Sequence, residues 1–215
     1  HKHPETGFEE VRTSKKVITL VEKNGIETMS GIGKTGVIGT LKGNRPGRTV
    51  ALRADMDALN MPEACDIEYK SMVDGKMHAC GHDAHTAMLM GAAQILSEKK
   101  DDIEGTLKFV FQPAEEGPSQ GGGELMMDSG LLDDVDAIFA IHVNTDFEVG
   151  TVAIPEKEVM ASTDFFSINL IGKGTHGAAP HSGIDAIVMA GQVINAFQGI
   201  ISRHTDPLNP GVLSI

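Results

Sequence analysis

The chain has 215 residues, 40% hydrophobic and 22% charged, enough to bury a sizeable core in one large domain or two small ones. A net charge of −12 with 4% aromatic residues is the wrong balance for gripping a nucleic-acid backbone. No apolar run approaches the roughly 18 to 20 residues that span a bilayer, which excludes a helical membrane protein.

Nine histidines among clustered carboxylates suit a chain that holds cations. Two cysteines, Cys65 and Cys80, are too few for a disulfide framework and fit a reducing, cytoplasmic compartment. The chain starts at His1 and stops inside the apolar run Val212–Ile215, and neither end reads as a natural terminus. The question of a leader segment is therefore open.

From Glu9 to Asn24 the spacing of Val11, Val17, Ile18 and Val21 predicts a helix, with Asn24-Gly25 as its stop. Strands are expected at Ile26–Met29, Gly36–Leu41 and Thr49–Ala54, followed by a long polar connection from Met56 to Gly81. Asp83 is positioned to cap a helix over Ala84–Leu96. Next come a strand at Thr106–Phe111, a glycine-rich loop at Gly117–Gly123, a short helix near Glu124–Asp128 and a strand at Ala137–Val143. Alternation of this kind, with several continuously apolar strands, implies an α/β sheet covered on both faces. After Pro155 the pattern changes to a strand at Phe165–Ile171, a long helix over Ser182–His204 and a strand starting at Val212. The expected organisation is thus a catalytic domain over 1–157 and a smaller α+β domain over 158–215, with a hinge near Pro155–Ser162.

Gly31-Ile32-Gly33-Lys34-Thr35-Gly36 imitates a nucleotide-binding signature. A phosphate-binding P-loop needs glycine where Thr28 stands, and a dinucleotide fingerprint needs a helix where Val37–Leu41 reads as a strand. A hairpin turn is the expectation.

Four segments place chemistry at strand ends or in loops: Arg53–Asp57, Met77–His85, Phe111–Gly117 and Ile141–Val143. Singly, each has a plain explanation: His142 as a core histidine, Glu115-Glu116 as solvated acids, Asp83 as a helix cap. Together they are harder to dismiss, because adjacent carboxylates brought near Asp55 and Asp57 repel unless a cation neutralises them. Cysteine, histidine and glutamate are zinc-type ligands, and carboxylates favour harder ions such as manganese. Cys80 as a nucleophile is the competing reading, weakened because catalytic dyads seldom come from sequence neighbours such as His82 and His85.

MHACGHDAH (77–85), FQPAEEG (111–117), RADMDAL (53–59) and GKGTHGAAPH (172–181) resemble the M20 metallopeptidase family, in its aminoacylase, hippurate hydrolase and auxin-conjugate hydrolase branch. The opening His1-Lys2-His3-Pro4-Glu5 is also similar to that branch. The resemblance implies an α/β exopeptidase-like catalytic domain, its mixed central sheet flanked by helices, carrying an inserted α+β lid that mediates a homodimer. It implies two divalent metal ions (Zn, Mn, Co or Ni) held by Cys80, His82, Glu116 and His142. Glu115 resembles the general base, Asp57 an acid supporting the ligands, and His176 a lid histidine that steadies the substrate carbonyl from the neighbouring subunit. The family's last metal-ligating histidine follows the lid and falls beyond residue 215. The implied reaction is hydrolysis of N-acyl amino acids. A dipeptidase, an N-acetyl-diaminopimelate deacetylase and a non-catalytic metal-binding relative are the alternatives.

Overall fold

A computed structural model describes residues 1–117, 120–154, 156, 160, 163–209 and 211–215. The chain forms two compact units, His1–Ile154 and Pro155–Ile215, each described by itself.

In the first unit, helix α1 (Val11–Lys23) turns Val17 and Val21, four residues apart, toward the core. It ends at Asn24, and Gly25 takes the left-handed turn that follows, at φ 71°. Strands β1 (Glu27–Ile32) and β2 (Gly36–Lys42) pair antiparallel as a hairpin. The glycine-rich run is its turn, as its sequence context predicted, with Gly33 and Lys34 at positive φ. Strands β3 (Arg45–Asp55), β4 (Glu104–Gln112) and β5 (Ala137–Ala140) complete a five-stranded mixed sheet of order β1-β2-β4-β3-β5. β4 pairs antiparallel with β2 and parallel with β3, which pairs parallel with β5. Asp55 lies opposite Gln112 and Arg53 opposite Ala140, so the three parallel strands finish at one edge.

Alternation along these strands sorts the core into two layers. Val37, Leu41, Ala54, Phe109 and Phe111 pack with Val17 and Val21 of α1 and with Leu89 and Ala93 of α2 (His82–Glu98). Ile38, Ala51 and Val110 point the other way, toward Met126 of α3 (Gly122–Met127) and Leu132. Phe109 and Phe111 are fully buried, each worth about 1.5–3 kcal/mol over an exposed ring. α1 can approach β2 closely because position 39 is glycine: a Cβ there would sit 3.0 Å from Val21 Cγ1.

Several expectations are corrected. β5 stops at Ala140 rather than Val143, so His142 stands in the loop past the strand. α2 begins at His82 with Gly81 as its N-cap; Asp83 lies inside the first turn, and its carboxylate is turned away to His1. In the second unit, the strands expected at Phe165–Ile171 and Val212–Ile215 have no ladder among the described residues. A strand is a property of a pair, and among the described residues of that unit the one bridge joins Lys173 to Ile184. The long helix expected over Ser182–His204 divides into a 3₁₀ turn (Pro180–Ser182), α4 (Ala186–Gly199) and a π turn (Ile200–His204). Asp185 starts α4 by accepting hydrogen bonds from the Ile187 and Val188 amides. The expected hinge falls largely outside the described residues, as does part of the Gly117–Gly123 loop. Among the described residues no helix is long and apolar enough to cross a membrane.

The N-terminal residues clasp the long connection between β3 and α2. Thr6 bridges Ala58, and the Ala58 and Met72 amides donate to the Glu5 and Lys2 carbonyls. The His1 ring joins Asp83 (Nδ1–Oδ2 2.8 Å) to Glu63 (Nε2–Oε1 3.1 Å), while Glu63 also accepts from the Ser71 amide. Burial opposes a charge on His1, but Glu63 and Asp83 outweigh it and raise its pKa above the ordinary 6.5. The Ser71 amide, and then His1, lower that of Glu63 below 4.5. The His1 contribution to stability is therefore complete below 6.5 and lost as pH rises through its raised pKa. The Glu63 contribution is complete above 4.5 and lost as pH falls. The melting-temperature difference between wild type and His1→Gln should therefore be largest between pH 4.5 and 6.5 and shrink above that window. A flat profile from pH 5 to 9, read by calorimetry, would disprove the clasp.

Candidate metal centre

The edge where the parallel strands finish carries the functional side chains. Asp55 ends β3, and Asp57 follows two residues on; both are buried. At the start of α2, Gly81 takes φ 87° and lies so close to the loop after β5 that a Cβ would come within 2.3 Å of Val143 Cγ2. That close approach brings Cys80 and His82 to His142. The turn after β4 supplies Glu115 and Glu116, the latter anchored through its amide to Asp57 Oδ2 at 2.8 Å.

Asp57 serves two of these residues at once. Its other oxygen accepts from His82 Nδ1 at 3.1 Å, which in the neutral ring leaves the Nε2 lone pair free. His82 Nε2 is buried and has no hydrogen-bond partner among the described residues. Facing it are Asp55 at 3.6 Å, Glu115 at 3.8 Å and Glu116 at 3.9 Å. His142 Nδ1 donates to the Val143 carbonyl at 2.6 Å, so its Nε2 likewise offers a lone pair, 3.4 Å from Cys80 Sγ.

Two groups of donor atoms result, Cys80–His82–His142 and His82–Glu115–Glu116, each within 4.8 Å of one another. Every residue expected as a metal ligand falls in one or the other. His82 has a single free nitrogen and so can serve only one ion. Asp57 bonds the His82 ring, common to both groups, and the Glu116 amide. His176 belongs to the second unit, where it is exposed and accepts the Ala178 amide on Nδ1 at 3.1 Å.

A third group, Asp55–His82–His85, adds Asp55 and His85, which had no assigned role. His85 donates from Nδ1 to Asp55 at 2.6 Å and accepts the Val143 amide on Nε2 at 2.9 Å. It therefore ties the loop bearing His142 to β3. The signal for it was present: His82 and His85, three apart, share a helix face. His78 is also buried, and its Nδ1 has no partner among the described residues.

Electrostatics point to a cation. Burial would raise the Asp55 pKa, but the bond from His85 and the charge of Arg53 bring it down to about 2. Burial works against a charge on His82, yet Asp57 and the other carboxylates raise its pKa. Burial, then Glu116, push the Glu115 carboxyl up. Burial, then the Glu116 carboxylate, push the Cys80 thiol up to about 12, the opposite of what a cysteine nucleophile needs. A coordinating thiol is instead deprotonated by its metal. An unpaired buried imidazole nitrogen, a thiol and a carboxylate pair together fit a divalent transition metal. Replacing Asp57 with asparagine leaves only one accepting atom for two donors, so metal affinity should fall about 10- to 100-fold, measured by chelator competition. Unchanged affinity would remove Asp57 from the site.

The model of the peptidase family M20/M25/M40 matches residues 51–208. Over all of its length the chain is 47% identical to thermostable carboxypeptidase 2 of Saccharolobus solfataricus and 46% identical to an N-acyl-L-amino acid amidohydrolase of Geobacillus stearothermophilus. It spans 55% and 58% of those proteins. The crystal structure of Bacillus subtilis YXEP, described as a dinuclear metal-binding M20 peptidase, aligns with a TM-score of 0.69 at 43% identity, over 73% of this chain and 44% of that one. Motif order, the mixed sheet and the convergent donor groups agree with these matches, and the chain belongs to the peptidase family M20/M25/M40.

Proposed function

We propose that the protein hydrolyses the amide bond of N-acyl amino acids, releasing a carboxylic acid and a free amino acid. Glu115 is the observation that carries this reading. The carboxylates of Glu115 and Glu116 lie 3.8 and 3.9 Å from His82 Nε2, and that of Glu115 is the more exposed and makes no hydrogen bond among the described residues. A protein that only stored metal would have no use for this second acid. The names of the two relatives point the same way: a carboxypeptidase and an acyl-amino-acid hydrolase both cut an amide whose amine belongs to an amino acid with a free carboxylate. The chain spans little more than half of each, so the activity is proposed for the whole protein.

Cys80, His82, Glu116 and His142 would hold a pair of divalent cations, zinc or manganese by the mixture of donors. When bound, these cations would supply Lewis acidity and make a water molecule more acidic. Glu115 takes the proton of the attacking water and delivers it to the departing amine. Burial and the adjacent Glu116 raise its pKa, which favours proton transfer in both directions. In the second unit, which we read as a lid and dimerisation domain, His176 accepts on Nδ1 and so carries its proton on Nε2. That outward donor is assigned to the substrate carbonyl oxygen across a homodimer. We place the protein in the cytoplasm.

Full-length protein purified without chelator should carry near-stoichiometric transition metal and cleave N-acetyl or N-benzoyl amino acids, with activity lost to chelator and restored by zinc or manganese. Cleavage of dipeptides alone would make it a dipeptidase, and amide hydrolysis by metal-free protein would overturn the reading. Glu115→Gln should abolish turnover and keep the metal, by elemental analysis; loss of metal would make Glu115 a ligand. His176→Ala should lower kcat by about 10²- to 10³-fold with metal unchanged. Wild-type kcat in that variant would remove His176 from the mechanism.

A further inference from the structure

Glu10 lies just before α1, is fully buried, and its carboxylate faces inward. Oε1 accepts the Ala114 amide at 2.8 Å, and Oε2 accepts the Thr35 hydroxyl at 2.5 Å. Ala114 immediately precedes Glu115 and Glu116. It is a non-glycine residue at φ 46°, a left-handed conformation that costs energy and persists only when its surroundings impose it.

Those surroundings close on Ala114 from every side. Its carbonyl accepts the Gly122 amide at 3.1 Å. A Cβ on Gly7 would stand 3.0 Å from its own Cβ, and a Cβ on Gly117 3.1 Å from it. Two further non-glycine residues with positive φ, Phe8 and Lys34, meet beside this point, the Lys34 ammonium 4.0 Å over the Phe8 ring. The Ser14 hydroxyl secures the Thr35 carbonyl. Among the described residues the three left-handed non-glycine residues thus belong to the N-terminal segment, the hairpin and the acid-bearing turn, and the Glu10 side chain bonds the last two together.

We propose that Glu10 is a positioning residue: its bond to the Ala114 amide holds the left-handed turn that aims Glu115 and Glu116 at the metal centre. Asp57 fixes the far end of the same turn through the Glu116 amide, so Glu115 is held between two buried carboxyl groups on separate segments. Burial raises the Glu10 pKa, and the bond to an amide needs only an accepting oxygen, which a glutamine also supplies. The inference rests on the assignment of Glu115 and Glu116 to the proposed amidohydrolase site.

The test compares Glu10→Gln, Glu10→Asp and Glu10→Ala in the full-length protein loaded with cobalt(II). Its visible spectrum reports the ligands without any substrate. Glu10→Gln keeps an oxygen for the Ala114 amide and should preserve the wild-type spectrum and most of the turnover. Glu10→Asp keeps the charge but withdraws the oxygen by one carbon–carbon bond, ~1.5 Å. It should alter the cobalt spectrum and weaken metal binding about 10- to 100-fold against a competing chelator. Its kcat should fall by on the order of 100-fold with little change in KM, because the base is displaced and not the substrate. Glu10→Ala should match it wherever it folds, and Glu10→Asp stands alone if it does not.

A wild-type spectrum and kcat in Glu10→Asp would overturn the proposal. So would a Glu10→Gln variant as impaired as Glu10→Asp, which would make charge the requirement. A wild-type protein that cleaves no acylated amino acid, while its cobalt spectrum still separates glutamine from aspartate at position 10, would refute the function and leave the positioning role standing.

Discussion

Four carboxylates, Asp55, Asp57, Glu115 and Glu116, converge on one buried imidazole, and the rest of the first unit is arranged around their mutual repulsion. Their closest approaches to the His82 ring run from 3.1 to 3.9 Å. Such an array stays together only if each charge is answered. Asp55 is answered by Arg53 and His85, and Asp57 by the Glu116 amide and His82 Nδ1. Glu115 and Glu116 have no comparable partner on their side chains among the described residues. Together with Asp55 they face the free nitrogen of His82, so the charge left uncompensated lies where a cation would sit.

The protein meets this demand with backbone as much as with side chains. Parallel pairing of β3 with β4 and β5 ends three strands at one level. Ligands can then be carried on the loops just beyond them, as in other α/β sheets. Gly81 gives the backbone room to pass Val143, and Ala114 adopts a conformation few alanines tolerate. Local cost at these points is offset by the two-layered core beneath, where Phe109 and Phe111 are wholly enclosed.

Much of this was legible in the sequence, for identifiable reasons. Metal-binding chemistry needs particular atoms, so Cys80, His82, Glu115, Glu116 and His142 stood out as candidates by type, at the ends of apolar strands or just before a helix. α1 and the β1–β2 hairpin were visible because Val17 and Val21, and then Gly33 and the apolar stretch after it, follow local rules. What escaped depends on partners remote in sequence. Asp83 looks like a helix cap until His1 is seen bonded to it. Val143 looks like part of a strand until His85 claims its amide. Glu10 reads as one more acid opening a helix, and nothing local reveals that Thr35 and Ala114 enclose it. In the second unit, Phe165–Ile171 has the composition of a strand, but composition cannot supply a neighbour.

The parallel pairings carry a consequence for how the molecule is made. β3 cannot meet β4, nor β5 meet β3, until long stretches of intervening chain have been gathered in, the slow kind of contact in folding. Cys80, His82, Glu116 and His142 become neighbours only through those contacts, so the disordered polypeptide presents no comparable pocket. A cation entering afterwards meets the finished fold alone, and by mass action every increment of its affinity is added to the stability of that fold. Supply of metal would then govern how long the fold survives.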